Sequence, residues 1–446
     1  MAGKNGDLRW PLIIGGTIVV AAIVAAIWLI GASLAPLPEI STPKMPQPNA
    51  YDYYVAAGRM LQDGRQIQVV LLAERHARPP GVQVPRLNRR QVMAAKAALL
   101  RKNGAALAKL REGFRYECRH PADRELAPEH PEYAHLQRLA TLLAMDSQVR
   151  AARGDYAGAA RSCLDIIQLG VTMARGGGVM PMLIGAAIRA IGRREFVKIT
   201  DRLDSGTARR CAKQMEALQR QQPSLADALT EEKWQVQAGL TSMFAGAQAQ
   251  ARDNARRGRR SSPTRSLVWW LMWRQRVRNY VWYMDECIAN ARLPYAAKAP
   301  DPPIPRDPMC EIFCPVLGRC RFGSAREEGW SGLLTATLAL RAYRLDHGGY
   351  PGSLTDLVPS YLKRIPDDPF ALKWPLRYKQ GGARYVLYSV GPDGKDDGGA
   401  PAHPRPKVRP SWLPQPPPPG WRAVPKGPHS VQEDSQGDIV AGVNIQ

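Results

Sequence analysis

The sequence predicts a mainly α-helical protein, with an N-terminal transmembrane helix, a helical middle domain and a small α+β domain at the C-terminal end. Three observations lead to this fold class. Residues 12–35 form an uncharged apolar run. Apolar residues recur at helical spacing through most of residues 49–296. From about residue 325, one helical stretch gives way to short alternating segments separated by turns.

The apolar run 12–35 predicts an uncleaved membrane anchor. At a helical rise of about 1.5 Å per residue it spans roughly 36 Å, enough to cross a bilayer core of about 30 Å. A cleaved signal peptide is an alternative, but its apolar region is usually only about 7 to 15 residues long. Basic residues in 1–11 and a proline-rich spacer at 36–48 favour a cytoplasmic N-terminus. The sequence therefore predicts a single-pass protein of the bacterial inner membrane, with its bulk extracytoplasmic.

The formal net charge is +23. Such an excess favours contact with anionic lipid, an anionic envelope polymer or nucleic acid. The predicted export argues against nucleic acid. We expect the protein to meet the membrane and one of the other two anionic partners.

The helical middle domain is predicted over residues 49–296. Its clearest elements are two helices at 132–152 and 155–174, separated by Gly154. This helix–Gly-Asp-Tyr–helix pattern resembles one tetratricopeptide-type hairpin. No second copy follows at a fixed period, so the sequence does not predict a regular solenoid.

Residues 252–284 combine arginines with four tryptophans. One interpretation is a basic aromatic segment that binds anionic lipid or polymer. The other is structural: the arginines lie in an exposed loop, while a helical stripe from Trp270 to Met284 is buried. The helical spacing favours the second interpretation. The candidate anion-binding residues are Arg256, Arg257, Arg259, Arg260, Arg274, Arg276 and Arg278.

A linker is predicted at residues 297–324, where prolines precede three clustered cysteines. Cys310, Cys314 and Cys320 have the spacing C-x3-C-x5-C. Outside the cytoplasm, one disulfide and one spare thiol is the first expectation. Plain burial and a three-thiolate metal site are the alternatives.

Three separated motifs mark the predicted domain 325–446. Residues 342–351 read AYRLDHGGYP, residues 366–370 read PDDPF and residues 388–394 read YSVGPDG. In this order they resemble the globular end of the major pseudopilin of type II secretion systems. The resemblance implies a long helix followed by a small sheet, and partners among pilin-like or secretion proteins. The N-terminal run lacks the glutamate of pseudopilins and lies far from these motifs, so pseudopilin-type polymerisation is not expected.

The resemblance also implies a structural calcium ion after the last strands. The candidate ligands are Asp393, Asp396, Asp397 and Asp438. Calcium takes about six to eight oxygens, which clustered carboxylates on glycine-rich turns can supply. The alternative is a solvated Asp-Gly turn. A proline-rich insertion at 400–436 separates the acidic residues, and either loops out or means that no site exists.

No other catalytic or metal pattern is evident. Cys118, His120, His130 and His135 could suggest a metal cluster, but the last two histidines fall on different faces of a helix. The histidines are therefore interpreted as exposed or capping residues, and Cys118 as a small buried apolar group. The sequence shows no His-Glu-x-x-His motif, nucleophile elbow or phosphate loop. It therefore predicts a non-enzymatic envelope scaffold or adaptor. The alternative is a binder of anionic lipid or envelope polymer through the arginine–tryptophan segment.

Overall fold

The structure is a computed structural model that describes residues 37–74, 83–126, 128–257, 263–403 and 431–442. The predicted N-terminus and transmembrane segment, residues 1–35, lie outside these ranges. So do two of the candidate arginines, Arg259 and Arg260, and most of the proline-rich insertion.

The predicted single-pass inner-membrane localisation is corrected by the structure. Across the part of the chain that the structure describes, no helix is both long enough and apolar enough to cross a membrane. The longest helices are interrupted by charged side chains, such as Glu231, Glu232 and Lys233 in one of them. The segment on which the prediction rested, 12–35, is among the residues not described.

The described chain is mainly helical, as predicted. Good helix formers fill these segments, and short capping residues begin several of them. In chain order the helices are α1 (Ala50–Arg59), α2 (Gly64–Glu74), α3 (Arg89–Lys102), α4 (Gly104–Gly113), α5 (Pro131–Ala152), α6 (Tyr156–Thr172), α7 (Val179–Ile199), α8 (Ser205–Gln221), α9 (Leu225–Arg256), α10 (Pro263–Ala291), α11 (Pro308–Phe313) and α12 (Leu317–His347). Short 3-10 turns lie at Thr200–Arg202, Tyr295–Ala297 and Leu354–Leu357.

Three strands form one small antiparallel sheet in the order β1-β2-β3. They are β1 (Arg377–Gly381), β2 (Arg384–Ser389) and β3 (Ile439–Val440). The β1–β2 hairpin turns at Gly382, whose φ of +64° suits glycine. The short alternating segments predicted after the long helix form β1 and β2, and β3 joins from beyond the proline-rich insertion.

The predicted helical pair at 132–152 and 155–174 is confirmed as α5 and α6. Gly154 adopts a φ of +81° between them. The Asp155 side chain then caps α6 by accepting from the Gly158 backbone N–H. Helices α1 to α6 enclose one buried core, with Leu136, Leu139 and Leu143 of α5 at its centre.

A second core joins the middle of the chain to the C-terminal part. Helix α12 begins at Leu317, earlier than the predicted start at Ala325, and packs against α8. Leu164 and Met215 share one apolar cluster with Leu338 and Leu387. The predicted boundary at 297–324 therefore does not separate two cores.

A buried ion pair reinforces this junction. Glu327 of α12 accepts two hydrogen bonds from the Arg193 guanidinium of α7, at 2.9 and 2.8 Å. The Arg189 guanidinium approaches the same carboxylate at 3.5 Å. These cations hold the pKa of Glu327 below its usual value despite its burial, which acts to raise that pKa.

Candidate functional site

The arginine–tryptophan segment lies in an antiparallel pair formed by α9 and α10. None of the described side chains between residues 241 and 257 of α9 is buried. On α10, Trp273, Val277, Val281 and Met284 are buried, which confirms most of the predicted stripe. We call residues 241–257 together with residues 269–278 the arm.

The arm has an exposed apolar surface. Trp269 is 46% exposed and Met272 is 49% exposed, and Met243 of α9 is 52% exposed. The Phe244 ring stacks on those of Trp269 and Trp273, with centroid distances of 5.2 and 5.5 Å. This stacking fixes the indole of Trp269 at the surface, so the patch is ordered by aromatic packing.

The structure separates the described candidate arginines into two groups. Arg256 and Arg257 are exposed near the end of α9, where Arg257 pairs with Asp253 at 3.0 Å. Arg276 lies seven residues after Trp269, and therefore on the same side of α10. Arg274 and Arg278 lie on another side: the Arg274 guanidinium sits 5.0 Å from the Trp270 ring centre.

The two arginines on that other side are partly buried together. Desolvation, followed by the charge of Arg274, lowers the pKa of Arg278. Both guanidinium groups interact with other groups of the protein. Among the five described candidates, Arg256 and Arg257 are therefore exposed on the arm, and Arg276 is half-buried on the same side of α10 as Trp269.

The predicted calcium ligands lie around one turn. Asp438 is fully buried and accepts from the Gly399 N–H at 2.6 Å and from the Asp397 N–H at 3.4 Å. Asp396 accepts from the Gly398 N–H and from the Tyr388 hydroxyl. Asp393 accepts from the Lys395 and Gly437 backbone N–H groups. The carboxylates of Asp393, Asp396 and Asp438 therefore stabilise the turn through hydrogen bonds, and Asp397 contributes its backbone N–H.

Burial and crowding affect the charge of this turn. Desolvation raises the pKa of Asp438 to about 6, and the neighbouring carboxylates of Asp396 and Asp397 add to the rise. Among the described residues, no three of these carboxylates bring their oxygen atoms within 4.8 Å of one another. The turn therefore concentrates negative charge without a closed set of ligands.

The cysteine cluster contains free thiols. The disulfide predicted among Cys310, Cys314 and Cys320 is not formed, and all seven cysteines of the chain are free. Cys310 is buried, as the burial alternative expects, whereas the other two are half-buried. Burial raises the pKa of each of the three thiols, which disfavours the thiolate that metal binding requires.

A cleft of about 650 Å³ lies between the ends of α8 and α10, the side of α12 and the loop 364–374. Its lining contains both acidic and basic side chains, four of which form two ion pairs. Arg220 contacts Glu216 at 3.6 Å, and Arg364 contacts Asp367 at 3.4 Å. These pairs leave the cleft with mixed charge, which favours no single class of ligand.

Sequence reasoning missed a cluster at the start of α5. The structure brings His120, Asp123 and His130 together, with ligand atoms within 4.8 Å of one another. Burial lowers the pKa of His120. The cluster could have been recognised from the spacing H-x2-D-x6-H in a segment with prolines at 121, 128 and 131. Prolines keep such a segment extended, so helix faces were the wrong basis for judging it.

No protein-family model, no curated protein and no solved structure matches this chain.

Proposed function

We propose that the protein is a non-enzymatic scaffold or adaptor that binds an acidic macromolecular partner through the arm. The observation that supports this most is the exposed patch of Met243, Trp269 and Met272 on a strongly basic segment. Residues 241–278 contain nine arginines and a single acidic residue, Asp253. Tryptophan, methionine and arginine are the residue types enriched where proteins bind one another.

The positive charge of the arm favours an acidic partner. Exposed arginines attract an acidic surface over a distance limited by the Debye length, about 8 Å at physiological ionic strength. The apolar patch then provides contact area that an isolated ion pair does not. Because each exposed ion pair contributes at most about 1 kcal/mol, we expect affinity to depend on the tryptophan as well as on the arginines.

The experiment measures binding of a fluorescently labelled polyglutamate chain, as a generic acidic partner, to the full chain. We expect Trp269→Ser to weaken binding about tenfold or more, in line with the loss of an aromatic anchor. Trp282→Ser is the matched control, because Trp282 is equally exposed on the same helix but faces another side. Equal binding by the two variants would contradict the proposal.

Anionic lipid is the alternative ligand of the same surface. Vesicles containing phosphatidylglycerol, compared with purely zwitterionic vesicles, distinguish it from an acidic polymer. If the chain binds the anionic vesicles through Trp269 and does not bind polyglutamate, the partner of the arm is a lipid surface and not an acidic macromolecule.

A second proposal concerns the turn around Asp438, which we propose binds a structural calcium ion. Its support is the local concentration of carboxylates, together with the resemblance to pseudopilins. Calcium that binds only the folded chain must raise its melting temperature. We expect such a rise in calcium over chelator, and its loss in Asp393→Ala. Equal melting temperatures with and without calcium would contradict the proposed calcium site.

The same resemblance supports a docking role toward pilin-like or secretion proteins. Helix α12 followed by the β1–β2 hairpin has the element order that the resemblance implies. In-cell crosslinking from the exposed Trp374, in the loop before β1, tests this role. Crosslinks that contain no pilin-like or secretion protein would contradict it.

A further inference from the structure

The first part of the loop between α4 and α5 is held by hydrogen bonds at Arg119 and His120. The Arg119 backbone N–H donates to the Asn49 side chain at 3.0 Å, and that side chain donates back to the Arg119 carbonyl at 2.8 Å. The His120 N–H donates to the Arg175 carbonyl at 2.7 Å. Because these bonds come from distant parts of the chain, the backbone at Arg119 and His120 has a fixed position.

Three potential ligand atoms converge inside this loop. The Asp123 Oδ2 atom lies 3.2 Å from His130 Nε2 and 3.9 Å from His120 Nδ1. Ligands bound to tetrahedral zinc at about 2.0–2.1 Å are separated by roughly 3.3 Å. The separation of 3.2 Å matches that of an occupied site. The other two separations, 3.9 Å to His120 and at most 4.8 Å between the two imidazoles, require the side chains to move closer together on binding.

The other ring nitrogen of each histidine has a partner that orients the ring. His130 Nδ1 lies 3.0 Å from Glu132 Oε1. His120 Nε2 lies 2.8 Å from the Tyr133 hydroxyl and 3.2 Å from the Tyr51 hydroxyl. Histidines that bind metals almost always make such a second hydrogen bond, which fixes the tautomer and the ring plane.

We propose that His120, Asp123 and His130 bind a divalent cation of the zinc class. Two imidazole nitrogens and one carboxylate favour zinc over calcium or magnesium, which prefer oxygen ligands. The side chains of Asp123 and His130 are 21% and 16% exposed, so solvent reaches the site and supplies a water as fourth ligand.

Binding requires a change of tautomer at His120. Without the ion, His120 Nδ1 lies 2.7 Å from the Pro121 carbonyl and donates its proton there. In this neutral tautomer, Nε2 carries no proton and accepts from a tyrosine hydroxyl. For the cation to take the Nδ1 lone pair, the Nδ1 proton passes to solvent and Nε2 takes up a proton, which it donates to a tyrosine oxygen; the number of protons on the ring is unchanged. The ion thereby links the loop to the first residues of α5.

The test is a titration of the tag-free full chain with zinc alone, followed by calorimetry. We expect one zinc ion to bind per chain. The zinc affinity should be at least about tenfold lower in Asp123→Asn and in His130→Ala, because mutating even the residues that only orient metal ligands lowers metal affinity about 10- to 100-fold. His347→Ala is the matched control, because His347 is exposed on α12, far along the chain from the loop. Wild-type affinity in both loop variants, or no zinc binding by the unaltered chain, would overturn the proposal.

Cobalt substitution in the unaltered chain keeps the test decisive if a variant fails to fold. Ligation by two histidines and a carboxylate gives visible absorption without a thiolate-to-cobalt charge-transfer band. Such a band would place the ion on the cysteines instead, and would also overturn the proposal.

Discussion

At the scale of single residues, Glu327 matters most for stability. It is almost fully buried between Arg193 and Arg189, and the Trp330 ring covers the Arg193 guanidinium at 5.3 Å. Removing one partner of a buried ion pair leaves an uncompensated charge, which costs more than the pair itself contributes. Local sequence patterns do not indicate this pair, because Arg193 and Glu327 are separated by 134 positions.

We predict that Glu327→Gln lowers the free energy of unfolding by about 3–5 kcal/mol. The amide keeps the shape of the side chain but leaves two guanidinium groups without a counter-charge. Urea unfolding measures the change, and the exposed Glu286→Gln provides the control. A loss below about 1 kcal/mol would mean that the pair does not hold α7 to α12.

Asp438 is predicted to make stability depend on pH. Its pKa in the folded chain is about 6, above the ordinary value of 3.8. The folded state therefore binds the proton more tightly than the unfolded state, and stability falls as pH rises between these two values. We expect the stability of the wild type relative to Asp438→Asn to decrease across this window. A constant difference in melting temperature across the window would contradict the raised pKa.

At the scale of elements, the sequence predicted the helices and turns whose formation depends on neighbouring residues. The pair α5–α6, the hairpin β1–β2 and the buried stripe of α10 follow from apolar spacing and turn residues. Helix α12 was predicted too short, because its first turns are rich in arginine and glycine and become helical through tertiary packing. The histidine cluster was missed because its residues meet through an extended loop that periodicity does not describe.

Substitution of Gly154 tests whether the turn between α5 and α6 requires a residue with a positive φ. A side chain there would meet no atom within 4 Å, but its φ of +81° is unfavourable for any residue with a Cβ. We predict that Gly154→Ala destabilises the protein by about 1–2 kcal/mol. Gly246→Ala, in the interior of α9 with equal space, should stabilise by up to about 1 kcal/mol. Thermal unfolding that shows the same sign for both variants would contradict the assignment of the turn.

At the scale of the whole molecule, composition predicted a mainly helical chain but not its shared core. The predicted domains 49–296 and 325–446 contribute to one apolar cluster, since α8 and α12 pack along each other. Such long-range packing depends on shape and on partners far apart in sequence, so periodicity alone does not reveal it. The predicted membrane localisation was corrected because the described helices provide no membrane span.

The shared core predicts cooperative opening. Amides of α8, α12 and β2 should exchange their hydrogens with one common opening free energy, because none of these elements keeps its apolar contacts without the others. Native-state hydrogen exchange measures this. An opening free energy for α12 and β2 well below that of α8 would show that the C-terminal part unfolds independently.

The proposed function depends on binding of an acidic partner through the arm. Reversing the charge of two exposed arginines of the arm tests this binding. The measurement is polyglutamate binding at low and physiological salt by Arg256→Glu/Arg257→Glu, compared with the control Arg89→Glu/Arg90→Glu at exposed positions of α3. Both changes alter net charge equally. We predict that binding weakens about tenfold or more in the arm variant alone, and that this loss becomes smaller as salt screens the charges. Equal losses in the two variants would show that net charge, and not the arm, attracts the acidic partner.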